Sequence, residues 1–258
     1  MSDQPPVSVL FLRLEGPLQS WGDDSRWSVR RTRSEPTKSG VLGMLAAALG
    51  YGMDAAGQAG VRRLGEALRL AVREDRAGTP LRDYHTVVGG VLSAEGRIKI
   101  NASTREPETV VSERYYLSDA CFLAAVTGAA DLLAELREAV QRPVWTPFLG
   151  RKSCPPAAPL WPALPQAPPD AEFSGLQAAL ESVPWLGDRT PNGQDARPQW
   201  VRAVEELPPG GGGGGTGLLS PRRDVPVSFR QRQFGLRYVR EYRVRIPDAS
   251  EETGGGGR

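Results

Sequence analysis

Histidine is almost missing from this chain: His85 is the only one in 258 residues. That excludes a ribonuclease site in which two imidazoles divide the acid and base work, and it leaves no persuasive Ser-His-Asp order. Cysteine is nearly as scarce. Cys121 and Cys154 are far apart and fit no metal-ligand spacing, and so low a count suggests a reducing compartment. The carboxylates are scattered without a paired metal-binding motif, so neither a metal nor a cofactor is expected. No apolar run is long enough to span a bilayer and no charged-then-apolar leader follows Met1; the expectation is a soluble cytoplasmic chain with no membrane partner. Excess charge is lacking too, since the formal net charge is only +2.

What the total hides, the distribution reveals. Eight arginines between Ser220 and Ile246 face only Asp224 and Glu241. A second basic run holds Arg26, Arg30, Arg31, Arg33 and Lys38 against Asp23, Asp24 and Glu35. Such stripes attract a polyanion even when the chain is nearly neutral, although a solvated face is the commoner fate of a charge run.

The hydropathy pattern organises the chain. VSVLFLRL at 7–14 is apolar on both faces and reads as a central strand. RSEPTKSGVLGMLAAALG at 33–50 invites comparison with a phosphate-binding P-loop, but Thr37 stands where that motif needs a glycine immediately before the lysine. What remains is a helix opening after Pro36, with Thr37, Lys38 and Ser39 in its first turn and free N–H groups that favour an anion. A second helix is expected at about 58–70, strands at 84–92 and 109–117 as the arms of a long hairpin, a buried strand at 119–127, a helix at 131–140 and a strand or extended segment at 144–150. The order β-α-(hairpin)-β-α-β predicts an α+β, ferredoxin-like domain over 1–156, with the hairpin thumb at about 84–117. Both helices on one face would leave the other face of the sheet for a ligand. Beyond it lie a Pro-rich irregular segment (157–207), a Gly-rich linker (208–217), a small basic C-terminal β segment (218–247) and a disordered tail (248–258).

Candidate anion contacts are Lys38 and Ser39 at the helix mouth and Arg151, Lys152 and Ser153 after Gly150. Two Lys-Ser loops after strands suit a ribose-phosphate backbone: lysine brings charge, serine a hydrogen bond, and glycine a close approach. Trp21, after Ser20, can stack on a base or plug the end of the core. Arg114 shares a strand face with Tyr116, and Arg105 lies in the hairpin loop, where it could clasp a strand. His85 with Tyr84 is the one catalytic alternative, a metal-independent endoribonuclease; the structural reading of His85 is the commoner one.

Taken in order, GPLQSWG (16–22), PTKSGVLGMLAAALG (36–50), DYHTV (83–87), RYYLSDACF (114–122) and FLGRKSCPP (148–156) resemble the CasD family, subunits of the type I-E CRISPR surveillance complex Cascade within the RAMP superfamily. Five ordered blocks across residues 7–160 are specific where any one is weak, and 223–239 matches more loosely. The resemblance implies a ferredoxin-like fold with a β-hairpin thumb. It implies an RNA-binding cap on the 5′ handle of the mature CRISPR RNA (crRNA), in contact with the backbone subunit CasC and the large subunit CasA, and reaching target DNA only through the complex. Carried over by motif position, the RNA-facing candidates are Ser20, Trp21, Lys38, Ser39, Arg114, Arg151, Lys152 and Ser153; the basic 26–33 run adds Arg26 and Arg31, and the hairpin loop adds Arg105. It implies no catalytic residue, because another subunit, CasE, cuts the precursor in type I-E systems.

Overall fold

The computed structural model describes residues 6–22, 28–89, 92, 95–161, 171–187, 197–209 and 216–247. The chain runs β1 (Val7–Glu15), β2 (Leu18–Gln19), β3 (Val29–Arg30), α1 (Lys38–Ala48), α2 (Ala55–Ala67), β4 (Arg69–Arg76), β5 (Thr79–Val87), β6 (Val110–Ser118), β7 (Cys121–Thr127) and α3 (Ala130–Gln141). It continues through β8 (Glu172–Phe173), α4 (Leu176–Ser182), β9 (Trp200–Glu206), β10 (Leu218–Ser228) and β11 (Gln233–Arg245). Strands β8-β1-β7-β4 stand in the ferredoxin-like order, and β9, β11 and β10 extend that sheet to seven strands. The expected α+β class with a projecting hairpin is what the structure has. The hairpin is β5 against β6, in register from Thr79↔Ser118 to Val87↔Val110.

The doubly apolar β1 is covered on both sides. Leu10, Leu12 and Leu14 join α1, α2 and α3 in one core, whereas Val9 and Phe11 join Leu176, Ala179 and Leu180 of α4 in a second. The sheet face expected to be left for a ligand is therefore occupied by α4. The Pro-rich stretch read as irregular, 157–207, supplies β8, α4 and β9 in its described parts. The segment at 144–150 forms no strand; the Val144 and Trp145 N–H groups donate to the Ala48 and Ala47 carbonyls and close the C-terminal end of α1.

β4 did not show in the sequence because RLAVREDR reads as a charged surface. Two of its charges, Arg73 and Asp75, are inside. Arg73 is wholly buried, pairs bidentately through Nε and Nη2 with Asp75 at 2.6 and 2.8 Å, and donates to the carbonyls of Leu180, Val183 and Pro184 at the end of α4. A cation at a helix C-terminus satisfies carbonyls that lack intrahelical partners. The expected C-terminal β segment is the pair β10 and β11, hydrogen-bonded through β9 to β4. The glycines at 210–215 and the tail at 248–258 lie outside the described residues.

Candidate nucleic-acid interface

The helix mouth already holds an anion, and it belongs to the chain. Thr37 caps α1 by accepting from the Gly40 N–H, and the Lys38 N–H donates to Asp224 Oδ2 at 2.7 Å. The Lys38 ammonium is 2% exposed and donates to Glu206 Oε1 at 2.7 Å. Burial pulls the Lys38 pKa down and Glu206 pulls it back up, with the net shift downward. Burial alone would raise Asp224; two hydrogen bonds and the charge of Arg237, with the Lys38 N–H, outweigh it and hold the carboxyl below its ordinary value. Lys38 is thus a structural cation, not an exposed phosphate contact.

Ser20 and Trp21 are also structural. Trp21 is fully buried, its indole N–H donates to Gln19 Oε1 at 3.0 Å, and its ring lies where a Cβ on Gly40 would come within 2.8 Å. A ring enclosed in this way has no face for a base; of the two roles open to it, Trp21 plugs the core. Ser20 is 2% exposed and its hydroxyl donates to the Tyr115 carbonyl.

The two glycine-containing words at 16–22 and 148–156 meet in space. Ser20 N–H donates to the Leu149 carbonyl at 3.1 Å, and Gly150, at φ +90°, lies so close that a Cβ would overlap the Ser20 carbonyl oxygen. Leu149 N–H donates to the Cys154 carbonyl and Cys154 N–H to that of Arg151, closing a tight turn. The turn presents Arg151, half-buried, and Lys152 and Ser153, both exposed. Arg151 stacks on the Tyr116 ring at 4.8 Å and donates to the carbonyls of Tyr115 and Arg30.

Around this turn lies a cleft with two lobes that share Gly22, Ser39 and Arg151. One lobe, of about 590 Å³, is lined by Arg30, Arg31, Arg151, Arg223 and Arg232, with Asp224 as its acid. The pKa of Arg30 is lowered first by partial burial and then by the charges of Arg114, Arg232 and Arg151. The other lobe, of about 580 Å³, is mainly apolar, with Met44, Tyr51, Met53, Trp145, Phe148 and Phe229, and Lys152 at its wall.

Of the sequence candidates, Ser39, Arg151, Arg31 and Lys152 line the cleft, and Arg114 stands beside it in register with Arg30. Ser20 reaches the wall of the apolar lobe only as a buried residue. Ser153 and Arg105 are exposed but line neither lobe; Arg105 is at the hairpin tip with φ 56°. Arg26 lies outside the described residues. His85 and Tyr84 point to opposite faces of β5, with His85 Nδ1 3.8 Å from Asp83 Oδ2 and Tyr84 64% exposed. Among the described residues no cluster of His, Cys, Asp or Glu could hold a metal ion.

Arg30, Arg223, Arg232 and the aromatic lobe were not singled out from the sequence. The basic stripes contained all three arginines, but nothing in them separated these from Arg222, Arg237 and Arg240, which turn inward to Glu35, Asp224, Glu205, Glu206 and Glu241.

A ferredoxin-like sheet with a projecting hairpin and a basic cleft places the chain in the RAMP class of folds. The chain belongs to the CRISPR-associated Cas5 family, whose model, described as CRISPR-associated protein (Cas_Cas5), matches residues 9–240. It is 39% identical over 165 residues to the CRISPR system Cascade subunit CasD of Escherichia coli (strain K12), covering 60% of this chain and 70% of that protein. A chain of a solved CRISPR RNA-guided surveillance complex superposes with a TM-score of 0.67 at 31% identity, covering 94% of this chain and 92% of that one. A crystal structure of a Cas protein gives 0.62 at 32% identity, over 93% and 98% of the two chains.

Proposed function

We propose that this protein is a non-catalytic, RNA-binding subunit of a Cascade-type CRISPR surveillance complex, and that its two-lobed cleft holds the 5′ handle of the crRNA. The observation that carries the reading is the junction at Ser39 and Arg151 of an arginine-lined lobe and an aromatic one. A single strand needs both: guanidiniums for successive phosphates and apolar faces for splayed bases. Arg31, Arg114, Arg151 and Lys152 supply charge, Ser39 a hydroxyl, and Trp145 and Phe148 stacking surface. Kinship to a named Cascade subunit supports the assembly, with contacts to the backbone subunit CasC and the large subunit CasA. The hairpin, with Arg105 at its tip, is the element that projects toward such neighbours.

Binding without cutting is part of the proposal, because His85 and Tyr84 diverge on β5 and so do not form one acid–base pair. Incubation of the purified chain with end-labelled repeat RNA in EDTA tests both halves. Retention of uncut RNA, weakened in Arg151→Ala, is the expected result. Specific cleavage that His85→Ala abolishes would replace it with the endoribonuclease reading.

A further inference from the structure

The basic lobe contains one acid, Asp224, where simple electrostatics would want none. Its position is set by a β-bulge. On β10 three steps from Arg222 to Val225 face only two on β11, from Arg237 to Gly235, so one extra residue is inserted. A bulge re-aims side chains: Arg223 is exposed toward the lobe, whereas Asp224 is buried beneath it. There Asp224 ties three elements together. It accepts from Lys38 N–H at the start of α1 at 2.7 Å and from Arg237 Nε and Nη2 on β11 at 2.6 and 2.9 Å. Lys38 and Arg237 both continue to Glu206 on β9.

We propose that Asp224 is a positioning residue for polyanion binding: it anchors the bulge to the mouth of α1 and thereby aims Arg223 into the cleft. The inference rests on the RNA-binding reading and assigns Asp224 a role opposite to its charge. An acid in an anion site normally weakens binding, so removing it should strengthen binding by charge alone. The clamp makes the opposite statement, because without it Arg223 leaves the lobe.

The test measures the affinity of the full-length chain for a short fluorescein-labelled single-stranded RNA across a salt series. Asp224→Asn should bind several-fold more weakly despite its added positive charge, and the slope of log affinity against log salt should fall by about 0.7, the loss of one phosphate contact. In Arg223→Ala the slope should fall equally, and combining the two substitutions should add little, because residues acting through one contact are non-additive. The paired variant Asp224→Asn/Arg237→Gln keeps the wild-type net charge and should lose affinity as well. Tighter binding by Asp224→Asn, or an unchanged slope in Arg223→Ala, overturns the proposal; the second measurement stands even where Asp224 variants do not fold. Absence of RNA binding by the wild-type chain would instead overturn the RNA-binding reading itself.

Discussion

At the residue scale, the buried lattice of Lys38, Asp224, Arg237 and Glu206 decides how α1 begins. A removed partner there leaves a charge in a low-dielectric site, which costs about 3–5 kcal/mol. Lys38→Met is therefore expected to lower unfolding stability by that order while leaving the salt slope of RNA binding unchanged; urea titration and the salt series check the two halves. Acid acts on the same lattice. The folded-state pKa of Asp224 lies below its ordinary value of 3.8, so the unfolded chain takes up the proton first as pH falls. Its stabilisation is complete above the ordinary value and is lost as pH drops through the folded one. Glu241, held down by Arg202 and Arg222 against the upward push of burial, behaves in the same sense from an ordinary value of 4.5. Urea midpoints measured down the acid limb should fall below about pH 4.5 and fall less steeply in Glu241→Gln.

At the scale of elements, the Gly150–Cys154 turn and the Ser20 loop form one unit, and Gly150 is the contact between them. A side chain there meets both a left-handed φ of +90° and the Ser20 backbone. Gly150→Ala should therefore lose more than about 1 kcal/mol of stability, the cost of such strain, and should weaken RNA binding by displacing Arg151. The same unit explains what was legible beforehand. GPLQSWG and FLGRKSCPP stood out as words, and the helix at 38–48 was visible in Pro36, Thr37 and its apolar spacing. The direction in which their polar residues point was not. Lys38 and Ser20 carry groups that suit phosphate, yet their partners are Glu206 and Tyr115, which lie far away along the chain. β4 and α4 were hidden for a related reason. Arg73 and Asp75 neutralise each other inside, so period and polarity mark a surface where there is a core. Exchange of Leu180 for Ala, which opens a cavity under α4, should cost about 2–5 kcal/mol, measurable by thermal or urea unfolding.

At the scale of the whole molecule, a chain of net charge +2 gathers five arginines around one lobe of its cleft. Much of the C-terminal arginine stripe is spent on internal carboxylates: Arg222 on Glu35 and Glu241, Arg237 on Asp224, and Arg240 on Glu205. What the fold leaves turned outward at the cleft is Arg223 and Arg232, brought beside Arg30, Arg31 and Arg151 from distant parts of the chain. Affinity for a phosphate backbone should follow this geometry, not the overall charge. Substituting Arg151 or Arg232 by Ala should each lower the salt slope of RNA binding by about 0.7. Arg243→Ala removes the same charge from an exposed position on β11 that lines neither lobe, and should leave the slope unchanged. Fluorescence anisotropy across a salt series separates the outcomes. Equal losses in all three variants would mean that the chain attracts RNA as a diffuse cation, with no cleft that selects a single strand.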